Sequence, residues 1–442
     1  MTVSGALSRL KTRLQRGFGR NVALLIGSTA IGQVAMLATL PVIGRLYTPA
    51  DMGRLGTFMA FLGTASAATG LRYDIMIVAG ESEAEAAALL SGVCAVTVPI
   101  SLLCTLALGC LIWTQALGFE VLPLAAALWM FPALVVTQLF FTVRYWLMRD
   151  GEFPLIARVT IGQNVARAVV PVFAFPIASS WVGLVAGEVI GRCVGIESML
   201  RARGSQLRSA LAALRPLDVR RAFRRYPESA FAGLPSALIN AASNYLPLPM
   251  VAAAFGVAAA GFFGIIQRGM QIPVALISRN VADVFHSRLA DQARTAPGGS
   301  RRVFWRTGGM LLLIGGLPSL VLALLGPAAF RLVLGPRWDP ASRLLVAMIP
   351  WTLAAFVVSP LSRAVVVYRG QVQKLWYDVV SLVAVYAVVA PAPKLGWTLE
   401  HTVWILSLTQ AATYVLYLVI LVRLLPGSGL SLPDVSVSPP AR

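Results

Sequence analysis

The sequence predicts an all-α integral membrane protein of about twelve transmembrane helices in two six-helix lobes. Three observations predict it. The 442 residues are 57% hydrophobic and 12% charged, with a mean hydropathy of +0.76, whereas soluble domains carry about 25% charged residues. The apolar residues fall in runs long enough to cross a bilayer, which takes about 20 residues of helix. Six such runs precede the polar segment Met199–Tyr226, and six follow it.

The expected spans are 21–43, 54–79, 86–112, 121–147, 154–178, 180–199, 228–252, 258–284, 304–328, 342–366, 373–391 and 400–422. An even number puts both termini on one side. That side also carries the basic N-terminal arm (Arg9, Lys11, Arg13, Arg16, Arg20). It carries the arginine-rich loop 201–225 and the loop with Arg288, Arg294, Arg301, Arg302 and Arg306. Short cytoplasmic loops collect Lys and Arg, so that side is the cytoplasm. Glu81, Glu83 and Glu85 share it and fit poorly, but acids weigh little in this rule. The expected organisation is an N-lobe (1–200), a basic cytoplasmic linker (201–226), a C-lobe (227–425) and a disordered cytoplasmic tail (426–442). The N-terminus leads into a full-length span rather than a short signal-peptide core.

The net charge of +19 sits mostly in short loops. It therefore reads as orientation and affinity for anionic membrane lipids, and no nucleic acid partner is expected. Cys94, Cys104, Cys110 and Cys193 lie in apolar spans at no metal-ligand spacing and read as packing residues. His286 and His401 are too few and too far apart for a catalytic or metal cluster. No Walker A, zinc or nucleophile motif occurs. No catalytic residue, metal or cofactor is expected.

The halves show a repeat. At an offset of 208, Leu40–Gly56 lies over Leu248–Gly264, with identities at Leu40/Leu248, Pro41/Pro249, Ala50/Ala258, Gly53/Gly261 and Gly56/Gly264. A fainter echo joins Met130–Pro132 to Met348–Pro350. Halves with six spans each run in the same direction, so an axis along the membrane normal would relate them.

Polar residues inside spans are costly and face a cavity by default. The eighth span carries Arg268, Gln271, Arg279 and Asp283. On one continuous helix, positions 268 and 279 differ by only about 20° in azimuth, with Pro273 as a kink between them. Arg268 lies about 13 Å from the outer end, too deep to reach the interface easily. Arg72 and Asp74 close the second span, about 200° apart if helical, so they should not pair. Arg144, near the end of the fourth span, either snorkels to the interface or faces the cavity. Arg167 lies mid-membrane in the fifth. Glu188 and Arg192, at i and i+4 in the sixth, form either a structural ion pair or part of a cavity. Asn240 and Asn244 join Ser236 and Ser243 in a polar stripe that either binds substrate or bonds between helices. Arg363 ends the tenth span near the cytoplasmic mouth. Arginines outnumber acids within the membrane, which implies an anionic substrate. A guanidinium fork suits pyrophosphate.

Several stretches carry a family resemblance: PVIGRLYTPADMGRLGTFMAFLGTASAATGLRYDIMI, RRYPESAFAGLPSALINAASNYLPLPMVAAAFG with GFFGIIQRGMQIPVALISRNVADVFHSRLA, and LGPRWDPASRLLVAMIPWTLAAFVVSPLSR with KLWYDVVSL. The chain resembles the Wzx-type polysaccharide transporters of the multidrug/oligosaccharidyl-lipid/polysaccharide exporter superfamily from about Asn21 to Leu425. The resemblance implies a V-shaped pair of six-helix lobes around a cationic cavity. It implies a flippase in the bacterial inner membrane that moves undecaprenyl-pyrophosphate-linked oligosaccharides to the periplasmic leaflet by alternating access, for O-antigen, capsule or exopolysaccharide. A proton or sodium gradient would drive it, and a glycan polymerase complex is a possible partner. The extra helices of lipid II flippases are absent.

Arg72, Arg144, Arg167, Arg268, Gln271, Arg279, Asn240, Asn244 and Arg363 are the expected substrate-binding residues. Only Arg72, within LRYD, rests directly on a family motif. Glu188, Asp74 and Asp283 are the candidates for ion coupling. Two rival readings remain. A cation-coupled drug exporter would use one of those acids. A scaffold or polymerase subunit is disfavoured because every expected periplasmic loop is short.

Overall fold

The computed structural model describes Leu24 and residues 27–426, apart from 203, 206–208, 210, 211, 213, 214, 274–277, 296 and 369. The N-terminal arm and the tail from 427 onward lie outside the described residues, as do Arg203, Arg208 and the side chain of Arg294. The described regular structure is helical throughout, and seven helices are long and apolar enough to cross a membrane. These are Gly27–Leu46, Glu83–Trp113, Ala125–Arg149, Ser300–Leu334, Ile349–Val367, Gln371–Val389 and Leu399–Leu424. Each of the other five expected spans also contains helix. The second holds Pro49–Thr69 and a short turn, Met76–Ala79. The eighth contains the helices Val257–Pro273 and Arg279–Thr295, with residues 274–277 between them outside the described residues.

The chain forms two compact units. The first comprises Met1–Ile265, Phe330–Ala341 and Val389–Leu399, and the second comprises Ile266–Ala329, Ser342–Val388 and Glu400–Arg442. Compactness thus groups the chain differently from the six-plus-six span count.

In the first unit, α1 (Gly27–Leu46) leads into α2 (Pro49–Thr69). Thr48 and Asp51 form a capping box at the start of α2, with Pro49 at the first helical position. The other carboxylate oxygen of Asp51 accepts from the backbone N–H of Trp181 at 2.9 Å. One buried carboxylate therefore satisfies orphan donors at the positive ends of two helices. Helix α3 (Glu83–Trp113) starts at the Ser82 cap, and α4 (Ala125–Arg149) packs against it. Helices α5 (Phe153–Ala174) and α6 (Trp181–Cys193) pack closely together. Their closeness is written in Gly187 and Gly191. A Cβ at 187 would lie 2.5 Å from Pro171 Cγ, and one at 191 would lie 2.3 Å from Arg167 Cγ. Small residues four apart let membrane helices approach this way.

Helix α7 (Pro216–Arg225), from the linker, lies against α3. Its Phe223 ring stacks on Tyr73 with centroids 4.0 Å apart. Arg225 pairs with Glu81 and, at 3.3 Å, with Glu85. Two of the three loop acids that fitted the charge rule poorly, Glu81 and Glu85, are therefore the partners of a linker arginine. The loop at 81–85 and the linker helix lie together. A π-helical turn at Ser229–Gly233 then opens into α8 (Leu234–Tyr245) and α9 (Pro247–Phe255).

Helix α10 (Val257–Pro273) begins in the same unit and touches α2 through the repeat residues themselves. A Cβ on Gly53 would lie 1.9 Å from the carbonyl oxygen of Val257, and a Cβ on Gly261 would lie 1.8 Å from that of Pro49. The two contacts exchange under the 208-residue offset, and each glycine is required by the close approach.

In the second unit, α11 (Arg279–Thr295) packs on α13 (Ile349–Leu361). The long α12 (Ser300–Leu334) contributes Phe304 to a core shared with Phe285, Leu289, Leu361, Tyr417 and Leu421. Helices α14 (Gln371–Val389) and α15 (Leu399–Leu424) complete it.

Candidate functional site

A buried charged group of the first unit lies between α5 and α6. Glu188, 3% exposed, accepts from Arg167 Nε at 2.6 Å. Arg192, one turn along α6, approaches the same carboxylate oxygen at 3.5 Å. Gln163 donates to the carbonyl of Arg192 at 2.7 Å, and Asn164 accepts from Arg167 at 3.4 Å. The i,i+4 pair legible in the sequence is thus half of a bridge between helices. Its second arginine arrives because Gly191 leaves room for Arg167. Two guanidiniums on one carboxylate give a positive cluster whose planar forks suit phosphate as well as carboxylate oxygens.

A second group lies at the end of α2. The expected helix does not continue through LRYD. It stops at Gly70, and Leu71 and Arg72 take left-handed backbone conformations, with φ of 49° and 65°. The helix assumed in placing Arg72 and Asp74 on opposite sides is therefore not present, yet the two, both among the described residues, form no ion pair, as expected. Tyr145 of α4 lies in reach of Asp74, Arg144 and Arg72 together. Arg144 also sits over the Phe140 ring, 6.0 Å from its centroid. The floor of this group is polar: Thr69 donates to Gln138 at 2.7 Å, and Gln138 donates to Thr142 at 3.3 Å. Outside the spans, the hydrogen bond and charge of Arg225 hold the Glu81 carboxyl below its ordinary range.

Asn244 turns back on its own helix, donating to the carbonyl of Asn240 at 2.7 Å. Arg268 is partly buried on α10, and Gln271 is exposed. The side chains of Arg279 and Asp283 lie outside the described residues, as do residues 274–277. The stripe expected to join 268 to 279 therefore runs through residues that lie outside the described ones. Arg363 is exposed just after α13.

The second unit holds a buried network that span-by-span reading did not single out. Asp378, 2% exposed, accepts from Lys374 at 2.6 Å. Ser381 donates to the Gln410 side chain at 2.9 Å, which donates back to the Ser381 carbonyl at 3.1 Å. The Tyr377 and Tyr417 rings stack with centroids 4.0 Å apart. The Lys374/Asp378 spacing was a signal for the first pair. Gln410 could be matched to Ser381 only by knowing that α14 lies beside α15. Among the described residues, no group of three or more His, Cys, Asp or Glu could hold a metal ion.

A family model described as "polysaccharide biosynthesis protein" matches residues 42–343. No curated protein matches in sequence. Among solved structures, the fold is similar to the lipid II flippase MurJ in an inward closed conformation. That match has a TM-score of 0.68 and 13% identity over 90% of this chain and 86% of the other. It is similar to the Vibrio cholerae MATE transporter VcmN, with a TM-score of 0.59 and 15% identity over 93% and 97%. It is similar also to a MOP superfamily transporter from Pyrococcus furiosus, with a TM-score of 0.59 and 12% identity over 91% and 95%. At these identities the likenesses show the fold alone.

Proposed function

Since the chain belongs to the polysaccharide biosynthesis protein family of multi-pass membrane transporters, not enzymes, we propose that it flips undecaprenyl-pyrophosphate-linked oligosaccharide. The movement runs from the cytoplasmic to the periplasmic leaflet of the bacterial inner membrane by alternating access, with both termini cytoplasmic. It supplies O-antigen, capsule or exopolysaccharide synthesis. The observation that carries this reading is the positive cluster at Glu188, where two arginines meet one carboxylate. Two guanidiniums on one carboxylate leave the cluster with a net positive charge, which favours an anion over a cationic drug. Arg72, Arg144, Arg167, Arg268, Arg279 and Arg363 are the proposed contacts for the diphosphate, with Gln271, Asn240 and Asn244 as polar lining. Glu188, Asp74 and Asp283 are the proposed sites of proton or sodium coupling.

The test is movement in proteoliposomes. A prenyl-pyrophosphate-linked oligosaccharide is loaded, a pH gradient is imposed, and accessibility to an external glycosidase is followed. Wild type should flip, and Arg268→Ala should slow flipping by about tenfold or more, the worth of one lost charge-assisted hydrogen bond. Equal rates would move the anion contact away from Arg268. No flipping of the native strain's own lipid-linked sugar, by either protein, would overturn the flippase in favour of a drug exporter.

A further inference from the structure

Helix α7 has two faces, and the bundle uses only one. Val219, Ala222, Phe223 and Tyr226, at i, i+3, i+4 and i+7, turn inward. Phe223 stacks on Tyr73, Ala222 is 5% exposed, and a Cβ on Gly92 of α3 would touch both Phe223 and Val219. Leu217, Arg220, Arg221 and Arg224 repeat the same spacing on the opposite face, and all four are exposed. Arg225 is drawn away from that face by Glu81 and Glu85.

The level of α7 relative to the bilayer follows from α3. That helix has 31 residues, about 46 Å, which exceeds a hydrocarbon core of about 30 Å. Its exposed apolar residues run from Val98 through Leu102, Leu103 and Leu106 to Trp113. Its first turn carries Glu83 and Glu85. Gly92, where α7 rests, lies between these regions, at the boundary between headgroups and acyl chains.

We infer that the outer face of α7 docks on anionic phospholipid headgroups of the leaflet at that end, with Leu217 dipping toward the acyl chains. The argument is charge complementarity at a fixed depth: three outward arginines and one exposed leucine on a rigidly held helix at the interface. The inference is independent of what the protein transports.

The experiment places a bimane fluorophore at Leu217→Cys in the full chain, with the four native cysteines changed to alanine. The protein sits in nanodiscs of phosphatidylcholine, alone or mixed with phosphatidylglycerol, with a nitroxide quencher on a zwitterionic headgroup. Quenching should strengthen when phosphatidylglycerol is present, and high salt should reverse the gain. In Arg220→Gln/Arg221→Gln/Arg224→Gln the gain should vanish, each arginine accounting for about fivefold in lipid affinity. A bimane at Thr114→Cys, at the other end of α3, should not respond. Equal quenching in both bilayers overturns the proposal, and so does a phosphatidylglycerol response that survives high salt. The salt titration needs no arginine variant, so it decides the matter even if the triple variant does not fold.

Discussion

At Glu188, burial and pairing set a sharp energetic test. Removing one member of a buried ion pair leaves an uncompensated charge and costs about 3–5 kcal/mol. Glu188→Gln should therefore lower the thermal unfolding temperature clearly, as read by gel filtration after heating. Glu188→Gln combined with Arg167→Met should recover much of the loss, because the orphaned guanidinium is then gone. A double variant no more stable than the single one would show that Arg167 and Glu188 do not act as a pair. Sequence alone gave Glu188 and Arg192, since one turn of helix separates them. It named Arg167 but did not pair it with Glu188, since no periodicity reports which helix lies alongside. The glycines at 187 and 191 carried that information, but as absence of side chain rather than as charge. Arg72 shows the opposite failure. Its residue type was legible, but its geometry depended on Gly70 ending the helix two residues earlier.

Two contacts between elements make their own predictions. Gly53→Ala and Gly261→Ala each push a Cβ into a backbone carbonyl that cannot rotate away. Either should destabilise the protein by about 1–3 kcal/mol or more. Gly269→Ala, on the same helix as Gly261 but with nothing within 4 Å of its Cβ, should be tolerated. Equal tolerance of all three in thermal unfolding would contradict the close crossing. The docking of α7 should depend on acid and salt. The Glu81 carboxyl is held low in the docked state. Its contribution is therefore complete above the ordinary glutamate pKa of about 4.3 and is lost as the pH falls through the lower docked value. Hydrogen-exchange protection of 216–225 should fall relative to α3 below about pH 4, and at neutral pH in high salt. Protection unchanged in both conditions would leave the ion pairs without a role. Element by element, the long apolar runs were legible, with ends displaced by up to seven residues, as where an expected start at 342 falls at Ile349. The break at Gly256 was legible as the gap between two expected spans, whereas the one at Gly70 was not, because it depends on a local turn and not on hydropathy.

For the molecule as a whole, hydropathy and arginine placement predict an orientation that labelling can check. In intact spheroplasts an impermeant maleimide should react with Thr114→Cys and spare Ser82→Cys, both exposed and at opposite ends of α3, on a background without native cysteines. The reverse pattern would invert the protein and the proposed direction of transport with it. The membrane-embedded class was legible because a bilayer allows so few solutions for the backbone. The buried network of the second unit was less so, because its partners lie 29 residues apart on neighbouring helices. The crossing at Gly53 and Gly261 bears on ancestry as well. A gene of half this length, encoding a protein that worked as a pair, would have set that glycine against its own copy across the dyad. One codon change would then have struck both sides of the contact at once. Fusion of two copies into a single reading frame separates the fates of the two positions, so a later change at one can be answered at the other.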